Sequence, residues 1–172
     1  MKHFKLTAET KVSLFGVTLF RIEATIAGHW GDIGTKGGWV EKEENIDQVY
    51  GDAWVYGNAQ VSGNARVYGD ARVYGNARVF GNAQVYGDAQ VYGDAWEKSP
   101  LQIQGTRHFV NVFKRFFLRI GCHEFSFEYW RDNFEQIGKK NGYTQEQIRE
   151  YGLYINLAIN IYGLKEKTEE QA

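Results

Sequence analysis

Proline and cysteine are almost missing from this chain, and net charge nearly so. Each residue occurs once in 172 positions, and the formal net charge is −1. A lone cysteine, Cys122, cannot close an intramolecular disulfide, which points to a reducing, cytoplasmic setting. With one proline, turns must be made by the 20 glycines, which tolerate positive φ. A near-zero charge argues against nucleic-acid or membrane binding through a global field and leaves only local patches open. No apolar run approaches membrane-spanning length, and Met1 to Lys5 does not read as the start of a signal peptide. Histidine is also sparse: His3, His29, His108 and His123, with none between 49 and 96. No two His or Cys share ligand spacing on one element, so neither metal nor cofactor is expected.

What is present is a repeat. From Val49 to Trp96 the chain runs V-Y-G-D-A-W, V-Y-G-N-A-Q, V-S-G-N-A-R, V-Y-G-D-A-R, V-Y-G-N-A-R, V-F-G-N-A-Q, V-Y-G-D-A-Q, V-Y-G-D-A-W, eight hexads without insertion. Alternation places Ala71 and Val73 on one face and Arg72 and Tyr74 on the other. Gly75-Asn76 then turns a corner. A strand this short cannot bury its thin aliphatic face alone, so hexads must coil and stack. Three hexads close one triangular coil. That longer, three-hexad period is visible by itself: Asp52, Asp70 and Asp88 recur at every third hexad, as do Tyr50, Tyr68 and Tyr86, and Tyr56, Tyr74 and Tyr92. Ser62 and Phe80 mark the third face.

The inward pairs, such as Val67/Ala71 and Val73/Ala77, resemble those of the hexapeptide-repeat left-handed β-helix proteins. The resemblance implies a homotrimer, in which the family commonly works as acyltransferase or plain scaffold. The V-Y-G-D/N-A-R variety is similar to repeat proteins of bacteria and their phages, often named acetyltransferases on the repeat alone. Ile120-Gly121-Cys122-His123 with Trp130 resembles a C-terminal module of phage-encoded repeat proteins. Relatives often carry a histidine where this chain has Phe125, so no catalytic histidine is carried over from that motif.

The flanks read as a cap on each side. Phe4 to Leu6, Val12 to Phe15 and Val17 to Ile26 are expected strands, with a turn at Gly16. The glycine-rich stretch 28–38 lacks Gly-Lys-Ser/Thr and reads as a turn into the first coil. Trp39-Val40-Glu41 reads as an atypical first hexad, followed by a protruding acidic loop over Glu41, Glu43, Glu44 and Asp47. Past Pro100, three strands are expected at 101–104, 107–113 and 116–122. A helix capped by Ser126 runs to about Lys140 and stops at Asn141-Gly142. A second opens on the capping box Thr144 to Gln147 and ends at Gly163. Lys165–Ala172 reads as a solvated tail. The fold expected is mainly β: a left-handed parallel β-helix of about three coils, with an N-terminal β cap and a small α+β C-terminal region of three strands and two helices. Its parts are 1–48, 49–98 and 99–172.

Two constellations could carry binding. Arg66, Arg72 and Arg78 sit six apart and so leave the three faces of one coil at one level, beside Tyr68 and Tyr74. In a trimer, inter-subunit clefts would gather several of them, and Arg with Tyr suits an anionic aromatic ligand such as a nucleotide. The bland alternative is that they cement the trimer. In the second constellation, Arg107, Phe109, Arg115 and Arg119 alternate along a stretch, Gly105 to His123, that contains no acid. The alternative is that its phenylalanines plug the solenoid end while the arginines extend outward. For an acyltransferase, His108 is the only candidate base worth testing. The sequence therefore leads to a cytoplasmic homotrimer that binds rather than catalyses and captures an anionic small molecule such as a nucleotide signal. A host protein is a further candidate partner, an O- or N-acyltransferase and a structural scaffold are the rivals, and no catalytic residue is assigned.

Overall fold

The computed structural model describes residues 2–164, in two compact units, Met1–Pro100 and Leu101–Ala172. The tail expected over Lys165–Ala172 lies outside the described residues. Among those described, no helix is long and apolar enough to cross a membrane.

The first unit is a three-turn β-solenoid. A hairpin of β1 (Phe4–Val12) and β2 (Thr18–Ala24), joined to β3 (Lys36–Val40), precedes it. Its short parallel rungs are β4 (Trp54–Val55), β5 (Gln60–Val61), β6 (Arg66–Val67), β7 (Arg72–Tyr74), β8 (Arg78–Val79), β9 (Gln84–Val85), β10 (Gln90–Tyr92) and β11 (Ala95–Trp96). They form three sheets: β4-β7-β10, β6-β9, and a third in which β5-β8-β11 extend β1-β2-β3. Partners fall three hexads apart, Gln60 against Arg78 and Arg66 against Gln84, as the longer period requires. Every valine from Val55 to Val91 at the first hexad position and every alanine from Ala53 to Ala89 at the fifth is fully buried. The interior is therefore narrow, lined by one branched and one small side chain per side. Glycine suits the corners through its positive φ, and at Gly69 (φ +67°) a Cβ would in addition lie a tight 3.0 Å from the Gly87 nitrogen.

The array differs from the regular hexads at both ends. Val49, expected inward, is 75% exposed, and Ile46, 2% exposed, takes the slot by bridging to Val67. The hexad step runs instead from Val40 to Ile46, because Trp39-Val40 already forms a rung paired with Gln60-Val61. The extra residues fall after Ile46, leaving Val49 and Tyr50 exposed. The acidic segment before them does not simply protrude: Asn45, fully buried, accepts from the Lys42 N–H and donates to the carbonyls of Gly63 and Ala65, holding it on the coil edge. At the other end Trp96 pairs with Val79, one position short of the three-hexad step. The last corner has lost a residue, so Ala95 is exposed and the Trp96 indole turns inward. A bulky aromatic there covers the final Val/Ala layer, which no further rung follows.

In the N-terminal cap, Val12 to Phe15 is expected as a strand but forms the end of β1 and the hairpin tip, where Gly16 takes φ +75°. Beneath the first coil Trp54, Trp30, His3 and Phe4 pack together: the indoles stack at 4.8 Å and His3 stacks on Trp30 at 5.0 Å. Trp54 occupies an outward hexad position, yet this cluster buries it completely.

The second unit is an antiparallel meander of β12 (Gln102–Gln104), β13 (Phe109–Lys114), β14 (Phe117–Ile120) and β15 (His123–Ser126), with helices α1 (Phe127–Lys140) and α2 (Gln145–Tyr162). It has four strands where three were expected. Gly121 (φ +57°) turns the chain, so His123 pairs back with Ile120 as a fourth strand. Both helix starts follow the sequence: Ser126 Oγ accepts from the Tyr129 N–H, and Thr144 and Gln147 complete a capping box. Trp130 Nε1 donates to the Leu118 carbonyl at 2.8 Å and ties α1 to the sheet.

Two expectations follow. Val73→Asp forfeits about 1.5–3 kcal/mol of apolar burial and adds the larger cost of an unpaired buried carboxylate. The variant should not fold, and circular dichroism showing wild-type melting would contradict the inward assignment. Burial pushes the His3 imidazole below its ordinary 6.5, outweighing its hydrogen bond with the Ala53 carbonyl. The unfolded chain then binds this proton more readily than the folded one. The His3 contribution is complete above 6.5 and is lost as pH falls below it. The melting temperature should drop with acidification in that range, and His3→Gln should flatten part of the slope; an unchanged slope would exclude His3 as a contributor.

Candidate functional site

The solenoid turns one residue of each Val-centred step outward on either side of the valine, so each sheet displays two parallel rows. On β4-β7-β10 one row is Trp54, Arg72, Gln90 and the other is Tyr56, Tyr74, Tyr92. The three tyrosines stack with centroids 4.6 and 5.0 Å apart and planes within 9° and 17°. One strand spacing fixes that geometry. The inner faces of the rings are thus taken by one another, and ring edges and hydroxyls form the outer surface.

His29 anchors the first ring. Its Nε2 lies 2.7 Å from the Asp52 carbonyl, which can only accept, so Nε2 donates there and Nδ1 accepts from the Tyr56 hydroxyl at 2.8 Å. Burial, reinforced by Tyr74, pushes the Tyr56 phenol up to about 12. Arg72 lies in the same surface. Burial opposes its charge, but the hydroxyl of Tyr74 and the nearby Asp70 outweigh that and hold the guanidinium above its ordinary value. Among the described residues no carboxylate forms an ion pair with Arg72.

The other two arginines of the belt leave different sheets, as their spacing requires, and meet different neighbours. Arg66, on β6, stands 5.9 Å from the Tyr68 ring centroid and lines a shallow groove with Glu43, Glu44 and Asp47. Those acids make the surroundings of Arg66 less welcoming to an anion. Tyr68 stacks on Tyr86 at 5.5 Å and donates to Gln84 Oε1. Tyr50 does not extend this pair, being 77% exposed on the inserted loop. Arg78, on β8, shares its sheet with the N-terminal hairpin, whose tip reaches it through Phe15 against Phe80 at 5.0 Å. Among the described residues, the Arg72 sheet is the one that combines a guanidinium with a full tyrosine row; Asp70 lies near by, but no carboxylate is in ion-pair contact.

Like charge on the aspartate corners is partly compensated by the backbone. The Asp52 N–H donates to Asp70 Oδ1 at 3.1 Å, so the Asp70 carboxylate serves as a corner acceptor. The asparagine corner does the same with side chains, Asn64 Nδ2 donating to Asn82 Oδ1.

In the second unit the cations are dispersed. Arg107 donates to the Gly142 carbonyl at 2.8 Å and stands 4.6 Å from the Tyr143 ring, before β13 begins. Arg115 lies over Phe116 in the turn at the far end of that strand. Arg119, opposite Asn111, approaches Glu124 at 3.7 Å. Phe109 opens β13, pairing with Gln104. Arg107 and Arg115 are thus separated by the whole length of β13, about 20 Å at the usual strand rise. A bulge between Val112 and Lys114 breaks the alternation that would have joined them. His108 has its backbone N–H and carbonyl both bonded to the Tyr151 hydroxyl. Burial first, then Arg107 and His123, hold its imidazole below the ordinary value, making it a weaker proton acceptor.

Sequence reasoning missed His29. It sits in a glycine-rich stretch with no periodicity, and its partner Tyr56 lies far along the chain, so no local signal marks it.

The YdcK β-solenoid repeat model matches residues 59–73, 71–87 and 83–98. The match falls within the rungs from β5 to β11 and covers well under half of the chain, so it marks what the repeat is similar to. No curated protein matches the chain.

Proposed function

We propose that this chain is a non-enzymatic binding module that assembles as a homotrimer through its tyrosine-bearing solenoid faces and holds a small anionic ligand beside Arg72. The observation that carries the reading is Arg72 itself: a guanidinium set in a flat, part-buried tyrosine surface with no carboxylate ion pair among the described residues. A cation kept charged, with Asp70 near by but no carboxylate in ion-pair contact, is a partner for a phosphate or carboxylate group. A continuous aromatic strip favours burial against another protein surface, and a second copy supplies one. A nucleotide is the first ligand class to test, since it joins phosphate to an aromatic ring. Its base would meet tyrosine edges and hydroxyls, because the inner ring faces are occupied.

A second reading, a purely structural trimer, is favoured by that same occupancy: rings stacked on each other make a stiff contact surface without any ligand. An acyltransferase reading would rest on His108, whose depressed basicity weighs against a general base.

Light scattering should give about three times the 19.8 kDa chain mass; a monodisperse monomer would remove the cleft. Calorimetry with cyclic and linear nucleotides should show salt-sensitive binding. Arg72→Ala should weaken it ten- to hundredfold, the scale of one charge-assisted contact at about 1.5–3 kcal/mol. Arg66→Ala and Arg78→Ala should do less. Equal losses from all three would indicate general charge, and no binding by an intact trimer would leave the structural reading. Turnover of acetyl-CoA would overturn both.

A further inference from the structure

We infer that the sheet running β1-β2-β3-β5-β8-β11 carries a second, self-contained oxyanion site, centred on Trp39 and built within one protomer by Lys11 and Arg21. The Trp39 ring has Lys11 Nζ 4.3 Å and Arg21 Cζ 5.0 Å from its centroid. Two cations on one indole repel each other, and neither forms an ion pair with a carboxylate among the described residues. Of the acids on the neighbouring strands, Glu23 holds Lys5 and Lys36, Glu41 accepts from the Gly63 N–H, and Glu9, on the same strand as Lys11, is exposed and forms no ion pair among the described residues.

The hydrogen-bond inventory at this spot is one-sided. Arg21 Nε and Trp39 Nε1 are both buried donors with no acceptor. Buried donors are ordinarily satisfied, and an orphan calls for an explanation such as a missing ion. Trp54 and Trp96 also leave their indole N–H without acceptor, but neither has a cation over its ring among the described residues. At Trp39 the orphan donors and the two uncompensated charges coincide. Burial, then the Arg21 charge, push the Lys11 ammonium below its ordinary range, as a site short of negative charge should. The row continues in register from Arg21 through Trp39 and Gln60 to Arg78, so amide and guanidinium groups lie one and two strands further along.

Donors without acceptors, two cations and an indole only 7% exposed, which leaves little ring face for a base, select a compact oxyanion: phosphate, free or as the phosphoryl group of a small molecule. The site is independent of Arg72 and of assembly.

The test is calorimetry on the full chain at low ionic strength with inorganic phosphate, pyrophosphate and adenosine monophosphate as probes. Inorganic phosphate and pyrophosphate are expected to fill one saturable site per chain that persists in Arg72→Ala; adenosine monophosphate should reach this site with similar affinity and, on the reading above, the Arg72 face as well. Lys11→Met, which keeps the apolar stem, and Arg21→Gln should each weaken inorganic-phosphate binding at least about tenfold, while Arg72→Ala and the ion-paired Lys36→Gln leave this phosphate site intact. Melting curves with phosphate replacing chloride at constant ionic strength keep the test valid if a variant is less stable: wild type should gain stability with ligand and the Lys11→Met variant should not. No saturable binding by wild type up to about 10 mM, or binding unchanged in both Lys11→Met and Arg21→Gln, overturns the inference. Inorganic-phosphate binding lost in Arg72→Ala and kept in Lys11→Met and Arg21→Gln would assign the anion to the tyrosine face instead.

Discussion

A solenoid side of one valine and one alanine is too narrow to forgive error, and the first unit depends on that constraint. The interior space of each coil is filled by side chains whose size hardly varies from Val55 to Val91. Close packing in such a space penalises both a missing methyl and an added one. The backbone must therefore return to the same place at every third hexad through corners of positive φ, which favour glycine, and at Gly69 the stacked Gly87 leaves a Cβ only 3.0 Å. The outward rows are a by-product of this inner regularity. Tyrosines stack at 4.6 and 5.0 Å because the valines beneath them stack, not because ring attraction sets the rise.

Regularity creates the difficulty at the ends, where an inner layer loses its neighbour. The chain solves it differently on the two sides. At the start, extra residues after Ile46 let the coil change course, and aromatic side chains from His3, Phe4, Trp30 and Trp54 fill the space. At the finish, one residue is dropped and Trp96 rotates inward, while Ser99 Oγ accepts from the Gln84 N–H at the exposed edge. Both are changes in the length of a corner, which costs no core contact within the regular coils.

This explains what is legible in the sequence. The hexad period, the three-hexad period, the three faces and the helix caps at Ser126 and Thr144 are local or periodic, so letters suffice. Val49 reads as inward because it matches the hexad spelling perfectly; only Ile46, which does not, has the backbone position to pair with Val67. Trp96 reads as outward because the spelling gives no sign that a corner is one residue short. The fourth strand, His123–Ser126, has no alternation of its own and exists because Gly121 folds it onto Ile120. For the candidate site, periodicity puts Arg66, Arg72 and Arg78 on separate faces, but what stands beside each is a matter of tertiary placement. The acids near Arg66 and the hairpin tip near Phe80 come from segments outside the regular hexads altogether.

A net charge of −1 conceals a sorting of charge that composition cannot reveal. On the solenoid the acids gather at corners and on the loop before Asp47, where water and backbone N–H groups, as from Asp52 to Asp70, receive them. The cations Lys11, Arg21 and Arg72 instead occupy flat strand surfaces beside aromatic rings or other cations, and Arg78 stands opposite Gln60. Within the hexad rungs the rows carry Arg, Gln, Trp and Tyr, so Arg72 pairs across strands with Trp54 and Gln90, and Arg78 with Gln60, rather than with acids. Corners are set by the demand for Asp or Asn next to glycine, so carboxylates are drawn there by turn chemistry. The same geometry that makes the coil thus separates its charges. The flat faces are left short of acceptors, and the proposed anion sites rest on that shortage more than on the arginine count.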